Sequence, residues 1–397
     1  MSADRNIVFI INSLEGGGAE RILIDLLHHL QPHLTGYRTH LVLLDDCPER
    51  YPAPSFVTKH VLGAGGSLSR SVARLTGCLR RLSPVATISF LTRSNAASIG
   101  AAKALRHPCI VSERVHTSSH FSRAGTGGRI SKALIRLSYP LADHVVAVSE
   151  GVKSDLVANF GVRSNRVSVI YNPVDVKAIE AQGRAAPSVE LPASFAVSVG
   201  RLVPNKNFSL LIEAYARSGI TDDLVILGEG PERPRLEELV AKLNLGGRVH
   251  LPGYAANPHA VVGRAAFFVS ASNAEGFPNA LVEAMVLGRP VLATDCDSGP
   301  LEILSPGRAE RIRARTSAPF GILVPTNDLA AMTEGLRQVA DPATNAAYGT
   351  QSRRRAESFG VSESVDHYWR LIEGAMRPGR DLPAAPVPLR DRHLPQA

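Results

Sequence analysis

Short apolar runs alternate with amphipathic stretches along this chain. Residues 7–11 are continuously apolar, which is typical of a buried strand, and residues 19–30 repeat aliphatic side chains with the spacing of one helix face. The same alternation predicts further strands at 40–44, 86–90, 109–111 and 144–148. A second series of strands is predicted at 195–199, 224–227, 266–269, 291–293 and 321–324. Strands that alternate with helices predict an α/β fold with doubly wound parallel sheets.

The length of the chain favours two domains. With 397 residues, of which 44% are hydrophobic, the chain exceeds what one core usually spans. The sequence QGRAAPS at 182–188 is typical of a linker region. We predict a first domain at 1–176, a second at 177–360, a helix at 361–377 that packs back on the first domain, and a disordered tail at 378–397. The region from Arg377 to the end carries five prolines, which favours disorder there.

Cysteine usage and the absence of long apolar runs indicate a cytoplasmic protein. The four cysteines, Cys47, Cys78, Cys109 and Cys296, are scattered and form no CxxC pair, so neither a disulfide framework nor a zinc site is expected. No apolar run is long enough to cross a bilayer, and the start of the sequence does not resemble a secretory signal.

The positive charge of the chain is concentrated in its first half. Residues 1–176 carry 20 Lys and Arg against 12 Asp and Glu, so the whole net charge of +8 falls there. The stretches 68–82 and 129–136 are basic, and the first is amphipathic at helical spacing. Two interpretations stay open: helices packed on a soluble domain, or peripheral association with an anionic inner membrane leaflet. We favour the membrane surface and expect no nucleic-acid partner.

Two loops that follow predicted strands carry candidate phosphate ligands. In GGGAER at 16–21, glycines would let the backbone approach a ligand at a helix start, although such turns often need glycine for geometry alone. In VGRLVPNKN, Gly200, Arg201 and Lys206 follow the first strand of the second series. An arginine fork and a mobile lysine can neutralise a diphosphate, and two ordinary surface cations are the alternative interpretation.

Two glutamates eight positions apart mark a third loop. The sequence EGFPNALVEAMV places Glu275 after a predicted strand and Glu283 on the following helix. Paired carboxylates can form a glycosidase acid/base pair or a divalent-metal site. A metal site would need further carboxylates nearby, whereas carboxylate oxygens also accept hydrogen bonds from vicinal sugar hydroxyls. One glutamate for a hexose and one for a ribose would suit a nucleotide sugar.

At this point the chain resembles a known family. The paired glutamates in EGFPNALVEAMVLGRPVLAT resemble the signature of retaining glycosyltransferases of GT-B fold, family four. The resemblance covers most of the chain and includes these pieces in order: GGGAER at 16–21, SFLTRSN at 89–95, VSERVH at 111–116, IYNPVD at 170–175, GRLVPNKN at 200–207, LGEGPERPRL at 227–236 and SGPLEIL at 298–304. It implies two Rossmann-like domains that face a central cleft.

The resemblance also implies roles for single residues. Arg201 and Lys206 match the pair that binds the diphosphate and takes the place of a metal, so no metal or other cofactor is expected. Glu275 matches the glutamate beside the transferred sugar, and Glu283 matches the one that holds the ribose. The remaining donor-binding positions are Gly17, Gly18, Gly200, Gly228, Gly276, Phe277, Pro278 and Asn279, with backbone N–H groups of the turn placed around sugar and phosphate.

The acceptor side departs from the family pattern. Many relatives place a His in the loop after the fourth strand of the first domain, where this chain reads SERVH at 112–116. The candidates for contact with the acceptor are therefore Glu113, Arg114 and His116, and His116 can equally be a solvated loop residue. The Ser-Glu-Arg variant resembles a branch that extends lipid-pyrophosphate-linked bacterial glycans, often from hexosamine donors.

These observations predict a hexosyltransferase-type enzyme. It would transfer a sugar from a nucleotide diphosphate, with UDP as the expected nucleotide, to a membrane-anchored glycan at the cytoplasmic face, with retention of configuration. Two alternatives stay open: a nucleotide-sugar epimerase of the same architecture, and a non-catalytic protein that binds sugar nucleotides.

Overall fold

The computed structural model describes residues 5–122 and 125–377, which form two compact units. The first unit runs to Pro173 and resumes at Val361, and the second spans Val174–Gly360. The boundary between the two units therefore lies between Pro173 and Val174, three residues before the predicted boundary between residues 176 and 177. The linker prediction at 182–188 is wrong, because a helix of the second unit continues to Arg184. The tail predicted at 378–397 lies outside the described residues.

The first unit is built on a parallel sheet. Within the described residues its strands are β1 Asn6–Ile11, β2 Arg38–Leu43, β3 Thr58–Val61, β4 Ala86–Phe90, β5 Cys109–Glu113, β6 His144–Ala147 and β7 Val167–Val169. Their order across the sheet is β3-β2-β1-β4-β5-β6-β7, and every pairing is parallel. The order reverses between β1 and β4, which is the topological switch point of a doubly wound sheet.

The second unit repeats this arrangement. Its strands in the described part of the chain are β8 Phe195–Val199, β9 Asp223–Leu227, β10 Val249–Gly253, β11 Phe267–Ser270, β12 Val291–Asp295, β13 Thr316–Ala318 and β14 Gly321–Pro325. The order is β10-β9-β8-β11-β12-β14-β13, parallel except for the pair of β13 with β14. Here the switch point lies between β8 and β11. The prediction of two doubly wound parallel sheets is confirmed.

Helices cover both sheets. The helices of residues 5–122 and 125–184 are α1 Gly18–Leu30, α2 Leu68–Leu82, α3 Thr92–Leu105, α4 Thr117–His120, α5 Gly125–Ser138, α6 Glu150–Phe160 and α7 Val176–Arg184. Those that follow, up to residue 377, are α8 Phe208–Ser218, α9 Arg233–Lys242, α10 Pro258–Val262, α11 Asn279–Val286, α12 Pro300–Leu304, α13 Leu329–Ala340, α14 Pro342–Glu357 and α15 Val361–Ala375. Short 3₁₀ helices span Tyr139–Leu141, Ser164–Arg166 and Pro204–Lys206.

The last helix completes the core of the first unit. Val365, Tyr368, Leu371 and Ile372 of α15 are buried in one apolar cluster with residues of β1 and α1. Trp369 packs at the edge of this cluster and stacks on His33, with ring centroids 5.4 Å apart. The other apolar cluster of this unit joins β1 and β2 to α2 and α3. The two clusters cover the two faces of a sheet whose central strands are continuously apolar.

Candidate functional site

The candidate site of the second unit lies where β8 and β11 end. These strands are parallel neighbours at the switch point, so the loops that leave their carboxyl ends start from the same edge of the sheet. Ligands of open α/β sheets bind at this position. The loop after β8 carries Gly200, Arg201 and Lys206, and the loop after β11 carries Glu275. The switch point therefore brings together two motifs that lie about 70 residues apart in sequence.

Lys206 and Glu275 form an ion pair. The Lys206 Nζ atom donates to Glu275 Oε1 at 2.5 Å, and the side chains are 27% and 12% exposed. Ser272 Oγ donates to the same carboxylate oxygen at 2.6 Å. The predicted diphosphate lysine and the predicted sugar carboxylate are therefore in direct contact. The arrangement holds a cation and an anion at one edge of the sheet, partly accessible to water.

The loop after β8 is fixed from several sides. The backbone N–H of Asn273 donates to the Asn205 carbonyl at 2.7 Å, which ties this loop to the one after β11. Asn207 has φ 52° and is the N-cap residue of α8, so the 3₁₀ turn that carries Lys206 is followed at once by a helix. Arg201 follows β8 directly, and its side chain is exposed. Lys206 is thus held in place, and Arg201 extends toward solvent.

Two glycines permit close contact between neighbouring loops. Gly228 has φ +145°, and a Cβ atom there would lie 1.9 Å from the Gly200 carbonyl oxygen. A Cβ atom on Gly230 would lie 2.4 Å from the Leu202 carbonyl oxygen. No side chain fits between these backbones, so the loops after β8 and β9 require glycine for packing alone. Donor contacts of Gly200 and Gly228 stay predictions.

The turn between the two glutamates is held by buried contacts. Phe277 is 5% exposed and meets Phe359 edge to face, with centroids 5.3 Å apart. Ser298 Oγ donates to the Gly276 carbonyl at 2.7 Å. Pro278 has no backbone N–H, so the turn can offer donors only from Gly276, Phe277 and Asn279. The expectation that Pro278 contributes an N–H group is corrected accordingly. Asn279 begins α11, where helix N–H groups are open.

Glu283 has a partner that the sequence analysis missed. Its Oε2 atom lies 3.1 Å from His259 Nε2, and the side chains are 12% and 7% exposed. His259 Nδ1 in turn meets Gln182 Oε1 at 2.6 Å. Helices α7, α10 and α11 thus meet around Glu283, and this carboxylate is oriented independently of the Lys206–Glu275 pair. Nothing in the spacing of NPHAV at 257–261 indicated this role, because the contact depends on helix packing.

The glycine loop of the first unit follows β1, at the switch point with β4. Gly16 has φ +124°, and Gly17 is the N-cap residue of α1, which begins at Gly18. A Cβ atom on Gly17 would lie 2.2 Å from Glu20 Oε2, because the Glu20 side chain folds back over the loop. The Glu20 side chain can move, so this close approach does not by itself require glycine at position 17. Contact of Gly17 and Gly18 with a donor stays a prediction.

The structure buries two of the three acceptor-side candidates. Glu113 is 1% exposed and Arg114 is 8% exposed. Tyr139 donates to Glu113 Oε2 at 2.5 Å, and Asn95 Nδ2 donates to the Tyr139 hydroxyl at 2.8 Å. Burial raises the pKa of the Glu113 carboxyl, and its hydrogen bonds from Tyr139 and from backbone N–H groups oppose that change. The Glu113 carboxylate therefore holds the end of β5 through hydrogen bonds from Tyr139 and from the backbone N–H groups of Arg114 and Val115.

Arg114 extends the same network to the last helix. Its guanidinium donates to Asn172 Oδ1, and it lies 3.5 Å from the Tyr368 hydroxyl of α15. Ser112 Oγ meets that hydroxyl at 3.3 Å. Burial lowers the pKa of Arg114, while Tyr368 and Glu113 raise it. Both side chains are therefore buried and hydrogen-bonded within the first unit, and their contact with an acceptor stays a prediction.

His116 is the acceptor-side candidate nearest the surface. Its side chain is 14% exposed, and its Nδ1 atom lies 2.9 Å from Ser119 Oγ and 3.8 Å from Asp155 Oδ2. Ser119 also donates its backbone N–H to this Nδ1 atom at 3.4 Å. When Nδ1 accepts, the neutral ring carries its proton on Nε2. A ring held in this way can present an N–H donor to a ligand hydroxyl.

The hydroxyl of Tyr139 gives a direct test of the buried network. We expect Tyr139→Phe to lower the free energy of unfolding by about 1–3 kcal/mol, because Glu113 and Asn95 each lose a buried partner. Urea denaturation followed by Trp369 fluorescence reports on this unit, since Trp369 is the one tryptophan of the chain. The matched control is Tyr37→Phe, whose exposed hydroxyl has only a 3.5 Å contact from Arg5. Equal free energies of unfolding for Tyr139→Phe and Tyr37→Phe would contradict a stabilising role for the buried hydrogen bonds of Tyr139.

Residues 5–122 and 125–377 contain neither a clustered set of metal ligands nor a helix suited to spanning a membrane. In these ranges no group of three or more His, Cys, Asp or Glu side chains is arranged to hold a metal ion. No helix of the same ranges is long and apolar enough to span a bilayer.

Two family models match the chain, one for each unit. The model described as Glycosyltransferase Family 4 matches residues 16–178, and the model described as Glycosyl transferases group 1 matches residues 184–355. The second match contains Arg201, Lys206, Glu275 and Glu283.

A curated relative from Campylobacter jejuni is similar over nearly its whole length. It is named N-acetylgalactosamine-N,N'-diacetylbacillosaminyl-diphospho-undecaprenol 4-alpha-N-acetylgalactosaminyltransferase. It is 30% identical over 359 residues, which cover 88% of this chain and 94% of the relative. The Lipopolysaccharide 1,6-galactosyltransferase of Salmonella typhimurium is 34% identical over 172 residues, which cover 42% of this chain and 46% of that protein.

Solved structures share the fold. The crystal structure of Anabaena HepE in complex with UDP and glucose aligns with a TM-score of 0.70 at 20% identity and covers 92% of this chain and 98% of that one. The lipopolysaccharide outer core galactosyltransferase WaaB in its apo form aligns with a TM-score of 0.67 at 20% identity, covering 94% and 99%.

Proposed function

This chain belongs to the glycosyltransferases, with a family 4 domain followed by a group 1 domain, and we propose that it extends a lipid-linked or polysaccharide acceptor from a nucleotide diphosphate sugar. UDP is the proposed nucleotide, and a hexose or N-acetylhexosamine is the proposed sugar. The name of the Campylobacter relative, which describes an undecaprenol-diphosphate-linked substrate, supports a lipid-linked acceptor. Retention of configuration is proposed from the resemblance of the paired-glutamate signature.

The observation that carries the proposal is the contact of Lys206 with Glu275 at the switch point. A diphosphate leaving group gains negative charge as the bond to the sugar breaks. Lys206 and the exposed Arg201 are cations on the loop where that charge would develop, and preorganised cations stabilise such a transition state. A donor diphosphate would then replace Glu275 as the anionic partner of Lys206.

Glu275 is the group we place beside the transferred sugar. Its Oε1 atom accepts hydrogen bonds from Lys206 and Ser272, and the bond from Ser272 would stay when a donor diphosphate takes Lys206. A carboxylate in this position accepts hydrogen bonds from sugar hydroxyls and favours positive charge on the ring as the leaving group departs. Glu283, whose Oε2 atom lies 3.1 Å from His259 Nε2, is the group we place on the ribose hydroxyls. The roles of both carboxylates require no metal ion.

A donor screen tests the proposal against its two rivals. The protein is incubated with nucleotide sugars, with and without a lipid-diphosphate-linked saccharide, and nucleotide diphosphate release is measured. We expect release that depends on the acceptor. An epimerase would convert its donor equally well without an acceptor, and a non-catalytic binding protein would consume no donor. Either of these outcomes would contradict the proposal.

The structure changes the basis of the proposed membrane association. The apolar face of α2 packs into the unit, with Leu75 and Leu79 fully buried, so it is not available to lipid. What α2 presents to solvent is a set of exposed arginines: Arg70, Arg74, Arg80 and Arg81. We therefore infer that α2 contributes electrostatic attraction to an anionic surface and no insertion.

Helix α5 offers the apolar contribution that α2 lacks. Ile130 and Leu137 are 65% and 75% exposed, and Leu141, just beyond this helix, is 51% exposed. These positions recur at helical spacing, and the basic side chains Arg129 and Arg136 are interspersed among them. Exposed aliphatic residues beside cations are typical of helices that lie in a membrane interface. Since α3 packs against both α2 and α5, the two features flank the same helix.

Vesicle binding separates the two contributions. We expect wild type to bind vesicles that contain phosphatidylglycerol, and salt to weaken the binding because it screens surface charge. Glutamine at Arg70, Arg74, Arg80 and Arg81 should weaken binding by up to about a thousandfold, at roughly 1 kcal/mol for each cation that lies near the surface. Serine at Ile130 and Leu137 should weaken binding at every salt concentration.

The control for this experiment removes the same number of charges from the second unit. It carries glutamine at four exposed arginines: Arg217, Arg235, Arg313 and Arg354. We expect it to bind anionic vesicles as wild type does. Equal sedimentation of wild type with neutral and anionic vesicles, or equal losses in the α2 variant and the control, would contradict the proposed surface.

A further inference from the structure

A cavity of about 870 Å³ opens in the first unit, away from the glycine loop. It lies at the amino end of the sheet, since His107 and Pro108 precede β5 and Asp143 precedes β6. The glycine loop follows the carboxyl end of β1, and all strands of this sheet run parallel. The cavity therefore lies at the amino ends of the strands, and the switch-point loops lie at the carboxyl ends of the same sheet.

The lining of this cavity is strongly basic. Its cations are Lys103, Arg106, Arg163, Arg166 and Arg377, and its one carboxylate is Asp143. Asp143 is already engaged, because its Oδ2 accepts the Cys109 backbone N–H at 2.9 Å and its Oδ1 lies 3.9 Å from Lys103 Nζ. The lining cations come from α3, from the segment around the 3₁₀ helix Ser164–Arg166 and from the residues that follow α15. Arg377 is paired with Glu373 at 2.9 Å, so the positive potential of this concave site comes chiefly from Arg106, Arg163 and Arg166, with Lys103 at 3.9 Å from Asp143.

Two histidines in this lining have ring nitrogens without partners. Both ring nitrogens of His107 and the Nδ1 atom of His144 are buried and accept or donate no hydrogen bond within the described part of the chain. His144 is 1% exposed, and its Nε2 atom meets Ser168 Oγ at 2.7 Å. Buried polar atoms are nearly always paired in folded proteins, so an unpaired set that lines a cavity indicates a missing partner.

The histidines are neutral at physiological pH, which makes them hydrogen-bonding groups here. Burial lowers the pKa of His107, and burial together with Arg166 and Lys153 lowers the pKa of His144 to about 4. A neutral imidazole has one N–H donor and one acceptor nitrogen. The lining thus combines fixed positive charge from arginines with neutral imidazoles, whose unpaired nitrogens donate or accept according to the tautomer.

We propose that this cavity binds a phosphate-bearing ligand. Arginine forks match phosphate oxygens in pairs, and a lysine adds a mobile point charge. A carboxylate ligand would use fewer of the cations that converge here. The phosphate can belong to the headgroup of an anionic lipid or to a free phosphorylated molecule. Exposed Leu141 lies two residues before Asp143, so the apolar positions that continue from α5 end next to this lining.

The first arm of the test measures phosphate binding by isothermal titration with inorganic pyrophosphate. The protein carries Arg201→Ala and Lys206→Ala, so that the donor site of the second unit contributes nothing. We expect this protein to bind pyrophosphate, and the further changes Lys103→Gln and Arg163→Gln to weaken binding by about tenfold or more, since each removes a charge-assisted contact. Glutamine at exposed Arg313 and Arg354 is the matched control and should leave binding unchanged.

The second arm identifies the source of the phosphate with vesicles of phosphatidylcholine, alone or mixed with phosphatidylglycerol. A loss of anionic-vesicle binding in Lys103→Gln/Arg163→Gln beyond that of the control, with competition by pyrophosphate, identifies a lipid headgroup. Unchanged vesicle binding together with weakened pyrophosphate binding identifies a free phosphorylated ligand. Pyrophosphate binding that is absent, or equal in the cavity variant and the control, overturns the proposal whatever the catalytic assay shows.

Discussion

Lys206→Ala is expected to lower turnover by about 10²–10³-fold, and Arg201→Ala to have an effect of the same order. Both cations lie on the loop after β8, where the leaving diphosphate would gain charge. The Glu275 carboxylate is 12% exposed and contacts the side chains of Lys206 and Ser272. Loss of Lys206 removes the positively charged one of these two contacts. An unpaired carboxylate would repel the donor diphosphate, so donor affinity should fall together with turnover in this variant.

The control for these variants is Lys242→Ala, an exposed lysine at the end of α9. Partly exposed cations contribute little to stability, so all three proteins should give the same circular dichroism and unfold at similar temperatures. Turnover is measured as nucleotide diphosphate release at saturating acceptor. Near-normal turnover in both Arg201→Ala and Lys206→Ala, with the fold intact, would contradict the proposal that these side chains stabilise the leaving diphosphate.

The two glutamates should respond differently to loss of charge. In Glu275→Gln, we expect kcat to fall by about 10²-fold, because an amide cannot favour positive charge on the sugar ring. Affinity for free nucleotide diphosphate, which has a ribose but no sugar, should be nearly unchanged. In Glu283→Gln, nucleotide affinity should fall by about tenfold with a modest loss of kcat, since a charged hydrogen-bond acceptor becomes a neutral one.

The pairing of His259 with Glu283 adds a second variant to this comparison. If the imidazole orients the carboxylate on the ribose, His259→Gln should weaken nucleotide affinity in the same direction as Glu283→Gln and leave the Glu275-dependent step intact. Calorimetric titration with nucleotide diphosphate and steady-state kinetics measure the two quantities separately. Strong loss of nucleotide affinity in Glu275→Gln, with none in Glu283→Gln, would mean that the donor is placed in the reverse orientation.

Local patterns were sufficient to predict the architecture where strands are fully buried. Runs such as 7–11 and 195–199 are apolar on both faces because helices cover both sides of the sheet. The edge strands β3, β7, β10 and β13 were missed. In β3 and β10 the residues TKHV and VHLPG are polar or contain proline, and β7 and β13 have only three residues each. The predicted linker at 182–188 failed for a related reason: small and polar residues also suit the exposed end of a helix such as α7.

The candidate site followed the same division between local and long-range information. Arg201, Lys206 and Glu275 could be predicted because each stands in a motif just after a strand, and strand ends meet at one edge. The burial of Glu113 and Arg114 could not be predicted, because charged residues in a loop are ordinarily exposed. Their partners Tyr139 and Tyr368 are distant in sequence and reach them only through tertiary packing. The same holds for His259, whose contact with Glu283 depends on how α10 packs against α11.

Transfer of a labelled sugar into the lipid fraction tests the central claim most directly. The protein is incubated with a UDP-hexose or UDP-N-acetylhexosamine carrying a labelled sugar and with an undecaprenyl-diphosphate-linked saccharide, and the extracted lipid is analysed by chromatography and NMR. We predict a lipid-linked product one sugar longer, with the anomeric configuration of the donor retained, and its formation by Lys206→Ala at a rate about 10²–10³-fold lower. Label that remains with the nucleotide for every donor, or that appears as an epimer or free sugar without any acceptor, would contradict the account.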